Sequence, residues 1–144
     1  MSQRIRMLLA SAAVVFIAVP GVPADVMRVV HTNFATYNDG RWDQFALTYA
    51  EDALFLVQNR DPVRGRDAIT EAHRRLRDVT GPVDLDSIEI VRARADGETA
   101  KLVYTFTAQS GHLRALANVF YERQPDGSVV LGVDQPGFRE QPVG

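Results

Sequence analysis

The stretch from residue 37 to residue 69, YNDGRWDQFALTYAEDALFLVQNRDPVRGRDAI, says most about how this chain folds. Gly40 suits a helix end that needs a positive φ, and Asp43 can satisfy free amides at the start of the next helix. The apolar run ALFLV at 53–57 predicts a short strand. Gly65 then turns the chain into another helix. The stretch therefore predicts a helix end, a short helix, a strand and a third helix in close succession.

Helical periodicity extends outward from this stretch and predicts three helices, each with one apolar face. They begin at Asp25, Asp43 and Asp67, and the third stops at the Thr-Gly-Pro sequence that follows residue 79. The predicted apolar faces are Val26, Val30, Phe34 and Tyr37 in the first helix, Phe45, Ala46, Tyr49 and Ala50 in the second, and Ile69, Ala72, His73 and Leu76 in the third.

After residue 82 the apolar residues alternate with period two, which predicts strands. Glycine-containing turns at 95–97, 109–111 and 125–127 separate them. We predict a meander of four strands over residues 83–93, 102–107, 112–123 and 129–134. Helices that precede a mostly antiparallel sheet indicate an α+β fold, in which the apolar helix faces cover one side of the sheet.

The first 24 residues are predicted to be a separate unit. Two arginines precede the apolar segment 7–19, MLLASAAVVFIAV, which a proline and a glycine end. This is the pattern of a secretory signal peptide, and the segment is short for a bilayer span. We predict that residues 1–24 are removed and that the mature domain, 25–144, is secreted, periplasmic or in the cell envelope. An additional N-terminal helix and an uncleaved membrane anchor are the alternatives.

Composition excludes several classes of protein. The 144 residues suit one domain, and the absence of cysteine excludes disulfides, thiolate zinc sites and a thiol nucleophile. A net charge of −2 makes the chain a poor candidate for nucleic acid, which requires clustered Lys and Arg. The three histidines do not pair at ligand spacing on one element, so we predict no metal site. We also predict no cofactor.

Three motifs, YNDGRWD at 37–43, YAEDA at 49–53 and PVRGRDAI at 62–69, resemble the nuclear-transport-factor-2-like (NTF2-like) superfamily, in particular its SnoaL-like branch. The resemblance covers about residues 26–138. It implies a cone in which three N-terminal helices pack on a curved, mostly antiparallel sheet around one small-molecule pocket. The superfamily includes polyketide cyclases, ketosteroid isomerases and limonene epoxide hydrolases, so the motifs imply the fold rather than the chemistry.

Several polar side chains fall on faces that we predict to point inward, where a buried polar group needs a hydrogen-bond partner or a function. Asn33 and His73 lie on the apolar faces of the first and third helices. Asp134 lies on the last strand, where we expect Gly132 to leave room beside it. For the third strand we predict an inward face of His112, Arg114, Leu116, Asn118 and Phe120.

By resemblance, Asn33 and Asn118 fall where ketosteroid isomerases carry their oxyanion-hole residues, and Val57 falls at their general base. His73 and Tyr49 fall where tyrosines support that network. Proton abstraction next to a carbonyl needs a base within hydrogen-bond reach, and valine cannot supply one. We therefore predict that the chain lacks ketosteroid isomerase activity by that mechanism.

Two other chemistries of the superfamily give different predictions. Limonene epoxide hydrolases use an Asp-Arg-Asp set; here Arg114 and Asp134 could pair, but Asn118 replaces the remaining carboxylate, so the set is incomplete. SnoaL-like cyclases use an aspartate on a late strand with a histidine nearby, which Asp134 with His73 or His112 resembles. Histidine is readily poised near neutral pH, and burial can raise the pKa of a carboxyl group.

Our main prediction is an exported domain that binds a small, largely apolar organic molecule. The candidate ligand-binding residues are Asn33, Tyr37, Tyr49, Val57, His73, Tyr104, Phe106, Arg114, Asn118 and Asp134. One alternative is a cyclase, isomerase or hydrolase with Asp134 and His73 as its catalytic pair, and the other is a non-catalytic interaction module. We expect a homodimer through the outer sheet face, where Val103, Val119 and Tyr121 would form an apolar patch.

Overall fold

The computed structural model describes residues 22–93, 99–109 and 113–140. Its elements in chain order are α1 (Ala24–Asp39), α2 (Trp42–Ala46), β1 (Tyr49–Phe55), β2 (Val63–Arg64), α3 (Arg66–Thr80), β3 (Val83–Ala93), β4 (Thr99–Ala108), β5 (Leu113–Arg123) and β6 (Val129–Glu140). The strands form one sheet in the order β2-β1-β6-β5-β4-β3. Strands β3 to β6 are antiparallel neighbours, and β1 pairs parallel to β6. The α+β fold with helices packed on a mostly antiparallel sheet is confirmed.

Helix α1 packs its apolar face on the rest of the fold. Its buried residues are Val26, Met27, Val30, Asn33, Thr36 and Tyr37. The helix begins at Ala24, one residue before the predicted start at Asp25, so Asp25 lies in the first turn. There its carboxylate pairs with Arg123 of β5. Gly40 ends the helix with a φ of 70°, as its sequence context predicts.

Helix α2 is shorter than predicted, and strand β1 begins earlier. Tyr49 and Ala50, which we assigned to the inner face of the helix, belong to β1. The cause is pairing with β6: Tyr49 lies opposite Leu131, whose amide donates to the carbonyl of Thr48. Tyr49 and Ala50 are nevertheless buried. The two-residue strand β2, which pairs with the end of β1, was not predicted.

A bulge at Gly132 decides the direction of Asp134. Leu131 lies opposite Tyr121 and Val133 lies opposite Phe120, so Gly132 is the additional residue. Side chains alternate between the two faces of a regular strand, so without a bulge the residue three positions after Leu131 would lie on the opposite face from Leu131. Because of the bulge, Leu131 and Asp134 are both buried.

The expectation that Gly132 leaves room beside Asp134 is wrong. A Cβ atom at Gly132 would lie 3.1 Å from the Glu122 carboxylate, so the open side of the glycine faces Glu122. Strand β6 also continues to Glu140, beyond the predicted end at Asp134.

Strand β5 turns the opposite face inward from the one we predicted. Its buried residues are Ala115, Ala117, Val119 and Tyr121. Arg114 and Leu116 are exposed, and Asn118 lies half-buried on the outer face between Val103 and Gln135 of the neighbouring strands. The prediction failed because both faces of β5 carry large apolar side chains, so the period-two pattern does not distinguish them. His112 lies outside the described residues.

Asn38 joins the end of α1 to the start of β3. Its Nδ2 donates to the carbonyl of Val83 at 2.8 Å, and its Oδ1 accepts from the amide of Val83 at 2.8 Å. Arg77 of α3 donates to the carbonyl of Asn38 at 3.0 Å. The side chain of Asn38 therefore satisfies both backbone groups of a residue that borders the cavity described below.

Asn38→Ala is expected to lower the free energy of unfolding by about 1–3 kcal/mol, because both backbone groups of Val83 lose their partner. Urea denaturation measures this change. Asp39→Ala is the matched control, since the Asp39 side chain is 61% exposed and its removal should change stability by less than about 0.5 kcal/mol. Equal losses in the two variants would contradict this role of Asn38.

Candidate functional site

The helices and the inner face of the sheet enclose a cavity. The space that the centre of a water molecule can occupy is about 40 Å³, and the whole empty space, which includes open solvent at the mouth, is about 450 Å³. The lining consists of Asn33, Phe34, Tyr37, Phe55, His73, Leu76, Thr80, Val83, Tyr104, Phe106, Asp134 and Pro136. This space is small, so a ligand with a ring would extend toward the open side of the cavity.

Aromatic rings form much of the cavity wall. Phe34 of α1 meets Tyr104 and Phe106 of β4 edge-on, at centroid distances of 5.4 and 5.6 Å. The hydroxyl of Tyr37 lies 2.6 Å from Thr80 Oγ1. The Thr80 hydroxyl donates to the carbonyl of Gly81, so Tyr37 is the donor in this pair. Because its hydroxyl is bound within the protein, Tyr37 offers the cavity mainly an apolar ring.

A buried carboxyl–imidazole pair lies among these apolar side chains. Asp134 of β6 and His73 of α3 are 6% and 7% exposed, and Asp134 Oδ2 lies 3.7 Å from His73 Nε2. The Tyr49 hydroxyl of β1 donates to the same oxygen at 2.6 Å. The distance to His73 suits an ion pair but exceeds a hydrogen bond, so the imidazole nitrogen keeps its lone pair available.

The backbone fixes the tautomer of His73. Nδ1 lies 2.8 Å from the carbonyl oxygen of Ile69, which can only accept, so Nδ1 carries the proton. In the neutral ring Nε2 is then unprotonated and faces Asp134. The rings of Phe45 and Phe55 lie 4.9 and 4.3 Å from the imidazole centroid and hold it in place.

Burial favours the uncharged form of each member of the pair. It raises the pKa of Asp134, against the opposing effects of His73 and of the Tyr49 hydrogen bond. It also lowers the pKa of His73, against the attraction of Asp134 for a protonated ring. A carboxyl group with a raised pKa beside an imidazole with a lowered pKa is an arrangement that acid–base sites use.

A chain of hydrogen bonds orients the amide of Asn33. The Thr48 hydroxyl donates to the carbonyl of Phe45 at 2.7 Å, so it must accept from Asn33, whose Nδ2 lies 2.9 Å away. Burial raises the pKa of Tyr49 well above its ordinary value, and the Asn33 amide opposes that shift. One N–H of Asn33 is therefore occupied by Thr48.

Residues 30–132 match the family model described as the SnoaL-like domain. The chain belongs to the SnoaL-like domain family. This confirms the resemblance that its motifs indicate. A search of curated proteins found no match.

The solved structures that this SnoaL-like chain resembles share its fold at low sequence identity. ActVI-ORFA from Streptomyces coelicolor is 16% identical, with a TM-score of 0.60 over 80% of this chain and 95% of that one. A Catenulispora acidiphila protein in complex with S-DNPA is 17% identical, with a TM-score of 0.60 over 81% and 91%. An NTF2-like protein from Novosphingobium aromaticivorans with a cystatin-like fold is 15% identical, with a TM-score of 0.64 over 99% and 90%.

The SnoaL-like cavity brings together most of the predicted ligand-binding residues. Those that line it are Asn33, Tyr37, His73, Tyr104, Phe106 and Asp134. Tyr49 lies behind this layer and reaches it through its hydrogen bond to Asp134. Arg114 and Asn118 are on the outer sheet face and Val57 packs beside the core, so these three predicted residues do not line the cavity.

Sequence reasoning missed half of the lining. The residues it did not single out as ligand contacts are Phe34, Phe55, Leu76, Thr80, Val83 and Pro136. Phe34 and Leu76 do lie on the predicted apolar helix faces, which is the signal that could have found them.

Among the described residues, no three His, Asp or Glu side chains could hold a metal ion together, and no helix is long and apolar enough to cross a membrane.

Tyr49→Phe is expected to raise the pKa of Asp134 further, because the Tyr49 hydrogen bond stabilises the carboxylate. Carbon-13 NMR of the aspartate carboxyl groups across a pH titration measures this shift. Tyr37→Phe is the matched control, since the Tyr37 hydroxyl pairs with Thr80. The account of the buried pair would be contradicted by an Asp134 titration that is the same in wild type and Tyr49→Phe.

Proposed function

We propose that this SnoaL-like protein binds a small, largely apolar organic molecule in its cavity. The observation that carries the proposal is the cavity itself: an aromatic wall that surrounds a few converging polar groups, which is typical of small-molecule sites. Asp134 and His73 are buried there although burial disfavours their charged forms. The similar Catenulispora acidiphila protein was solved in complex with S-DNPA, which supports ligand binding at this fold.

The shape of the cavity supports one orientation for the ligand. Asp134 and His73 are buried in the lining, whereas Phe34 and Phe106 are half-buried and therefore closer to solvent. A polar group of the ligand would therefore enter first, and its apolar body would pack against the rings. A filled interior would favour the interaction module, whereas this cavity favours binding.

Native mass spectrometry of the purified full chain tests the proposal. We expect a small molecule that remains bound to the wild type and is released on unfolding. Asp134→Leu removes the polar group and should lose that molecule, while Leu116→Ser, on the outer sheet face, should keep it. Circular dichroism confirms that both variants fold. The same molecule retained by Asp134→Leu would contradict binding at this cavity.

A second candidate function is acid–base catalysis on the bound molecule, with Asp134 and His73 as catalytic residues. The observation that favours it is the unprotonated Nε2 of His73, held 3.7 Å from the Asp134 carboxylate. In this proposal Nε2 accepts a proton and Asp134 stabilises the resulting imidazolium. Once the ligand is identified, His73→Gln and Asp134→Asn should each slow its conversion by about 10²–10⁴-fold. Unchanged conversion in both variants would eliminate catalysis by this pair.

We also propose that residues 1–24 direct export and are then removed. This proposal is supported by the positive charges of Arg4 and Arg6 and by the apolar segment 7–19 that follows them. Helix α1 begins at Ala24, so cleavage there leaves it almost whole. Most of the segment lies outside the described residues. N-terminal sequencing of exported material should begin near Asp25, and a start at Met1 or Ser2 would contradict the proposal.

A homodimer through the outer sheet face is a further part of the proposed function. Val119 and Tyr121, which we predicted to lie outside, are buried, and Leu116 and Phe120 take their place at 47% and 40% exposure. Val103 lies on the same face of the adjacent strand. We expect sedimentation of the wild type to show a dimer that Leu116→Ser weakens. A wild-type monomer at high concentration would contradict it.

A further inference from the structure

The free hydrogen-bonding atoms around Asp134 are mostly acceptors. Asp134 Oδ1, His73 Nε2 and Asn33 Oδ1 receive no hydrogen bond from the described part of the chain. None of the three is sealed inside the protein, and all belong to residues that line the cavity. Tyr104 also lines the cavity, and its hydroxyl can donate or accept. A ligand therefore finds three acceptors and one hydroxyl.

Hydrogen bonds within the protein decide which of these atoms can accept and which can donate. Thr48 accepts from Asn33 because its own hydroxyl proton goes to the carbonyl of Phe45, so the amide turns its oxygen away from Thr48. His73 donates from Nδ1 to a backbone carbonyl, so its other nitrogen can only accept while the ring is neutral. Tyr49 donates its proton to Asp134. The Tyr49 hydroxyl, His73 Nδ1 and one N–H of Asn33 therefore donate within the protein and not to a ligand.

The charge and the rings of the lining favour a cation. Asp134 is the one acidic residue in the described lining, which contains no Lys or Arg. Four neighbouring rings, Phe34, Phe55, Tyr104 and Phe106, present aromatic surface to the same cavity. A positive charge is attracted both to a carboxylate in a medium of low dielectric constant and to the faces of aromatic rings.

We infer that the cavity selects a small primary amine in its ammonium form over a carbonyl compound of the same size and shape. An ammonium group has three donors and no acceptor, which matches the free atoms of Asp134, His73 and Asn33. A carbonyl oxygen would face those three acceptors and could use only the Tyr104 hydroxyl and the second N–H of Asn33. This inference rests on the proposed function of small-molecule binding and specifies its ligand class.

Binding of the amine is coupled to the ionisation of Asp134. The titratable groups that interact with this carboxyl are His73 from α3, Tyr49 from β1 and Tyr104 from β4. Burial raises the pKa of Asp134, so at acidic pH the free protein holds a proton there that the ammonium ion displaces. The affinity for the amine should therefore rise with pH through this titration and then level off.

Cyclohexylamine, cyclohexanol and cyclohexanone test the inference, because they share one ring and differ in the polar group. Titrations of the full chain, followed by proton–nitrogen NMR at neutral pH, give their affinities. Cyclohexylamine should bind about tenfold more tightly than cyclohexanone. Asp134→Asn should remove that preference, because it loses the charge but keeps the shape. Leu116→Ser, on the outer face, should keep it.

The outcomes separate this inference from the proposed function. If cyclohexanone binds as tightly as cyclohexylamine, or if Asp134→Asn keeps the preference, selection of an amine by Asp134 is overturned while binding in the cavity stands. If none of the three compounds shifts the signals of residues that line the cavity, the binding function fails for molecules of this size and the inference fails with it.

Discussion

Phe45→Ala is expected to lower the free energy of unfolding by about 3–5 kcal/mol, the usual cost of removing a fully buried aromatic ring. Phe45 is completely inaccessible to solvent and is the one buried residue of α2. Its ring lies 5.4 Å from both Trp42 and Tyr49 and 4.9 Å from His73. A helix of five residues without a side-chain cap has little stability of its own, so α2 depends on this side chain.

Urea denaturation of wild type and Phe45→Ala measures this loss. Leu47→Ala is the matched control: Leu47 follows the same helix but is 64% exposed, and its removal should change stability by less than about 0.5 kcal/mol. A loss below about 1 kcal/mol for Phe45→Ala would show that the contacts around α2 are weaker than the structure indicates. Because Phe45 also contacts His73, the variant should disturb the cavity as well.

Asp134→Asn is expected to stabilise the protein at neutral pH by about 1–2 kcal/mol, in the range of other substitutions that relieve a strained functional site. The Asn oxygen can take the place of Asp134 Oδ2 and accept the hydroxyl proton of Tyr49. The variant therefore keeps the shape of the site and its hydrogen bond to Tyr49 without a buried charge. A gain in stability with a loss of ligand preference is the trade-off expected of a functional residue.

The gain should depend on pH in a defined direction. The pKa of Asp134 is raised above its ordinary value of 3.8, so its protonated form contributes stability that is complete below pH 3.8 and is lost as pH rises through the raised pKa. Asp134→Asn has no such loss. Its advantage over wild type should therefore be small near pH 3.8 and grow as pH rises, until Asp134 is fully ionised.

Thermal unfolding of wild type and Asp134→Asn across this pH range measures the difference. Asp39→Asn serves as the control, since the Asp39 side chain is 61% exposed and should show no comparable gain. His73 has a lowered pKa, so its contribution is present above pH 6.5 and is lost as pH falls through the lowered value. Because Asp134 opposes the lowering of the His73 pKa, that loss should be larger in Asp134→Asn than in wild type, which also makes the advantage of the variant smaller at low pH. An Asp134→Asn variant that is less stable than wild type at neutral pH would contradict the account.

The first and third helices and strand β3 could be predicted from the sequence because their periodicity is unambiguous. Predicted strand 83–93 matches β3, and the third helix was placed within one residue of α3. The inward face of β5 was predicted incorrectly because Leu116 and Phe120 alternate with Val119 and Tyr121, and both sets are apolar. Only contact with the helices decides which set is buried, and sequence spacing does not contain that information.

The residues of the site could be predicted only in part, because periodicity shows some of them and the others depend on a bulge and on strand pairing. Asn33 and His73 stood out as polar residues on apolar helix faces, and both line the cavity. Asp134 was placed inward on the assumption of regular alternation with Gly132, yet it faces inward because Gly132 forms a bulge. The hydrogen bond from Tyr49 joins residues 85 positions apart and depends on the parallel pairing of β1 with β6. Spacing alone cannot predict such a contact.

Nitrogen-15 NMR of the histidine side chains tests most directly the claim that the cavity binds a ligand at Asp134 and His73. His73→Gln identifies the His73 signals among those of the three histidines. At neutral pH we expect Nδ1 in the protonated range and Nε2 in the unprotonated range, and we expect Nε2 to shift when cyclohexylamine is added. A proton on Nε2 in the free protein, or His73 signals that do not respond at saturating amine, would contradict the account.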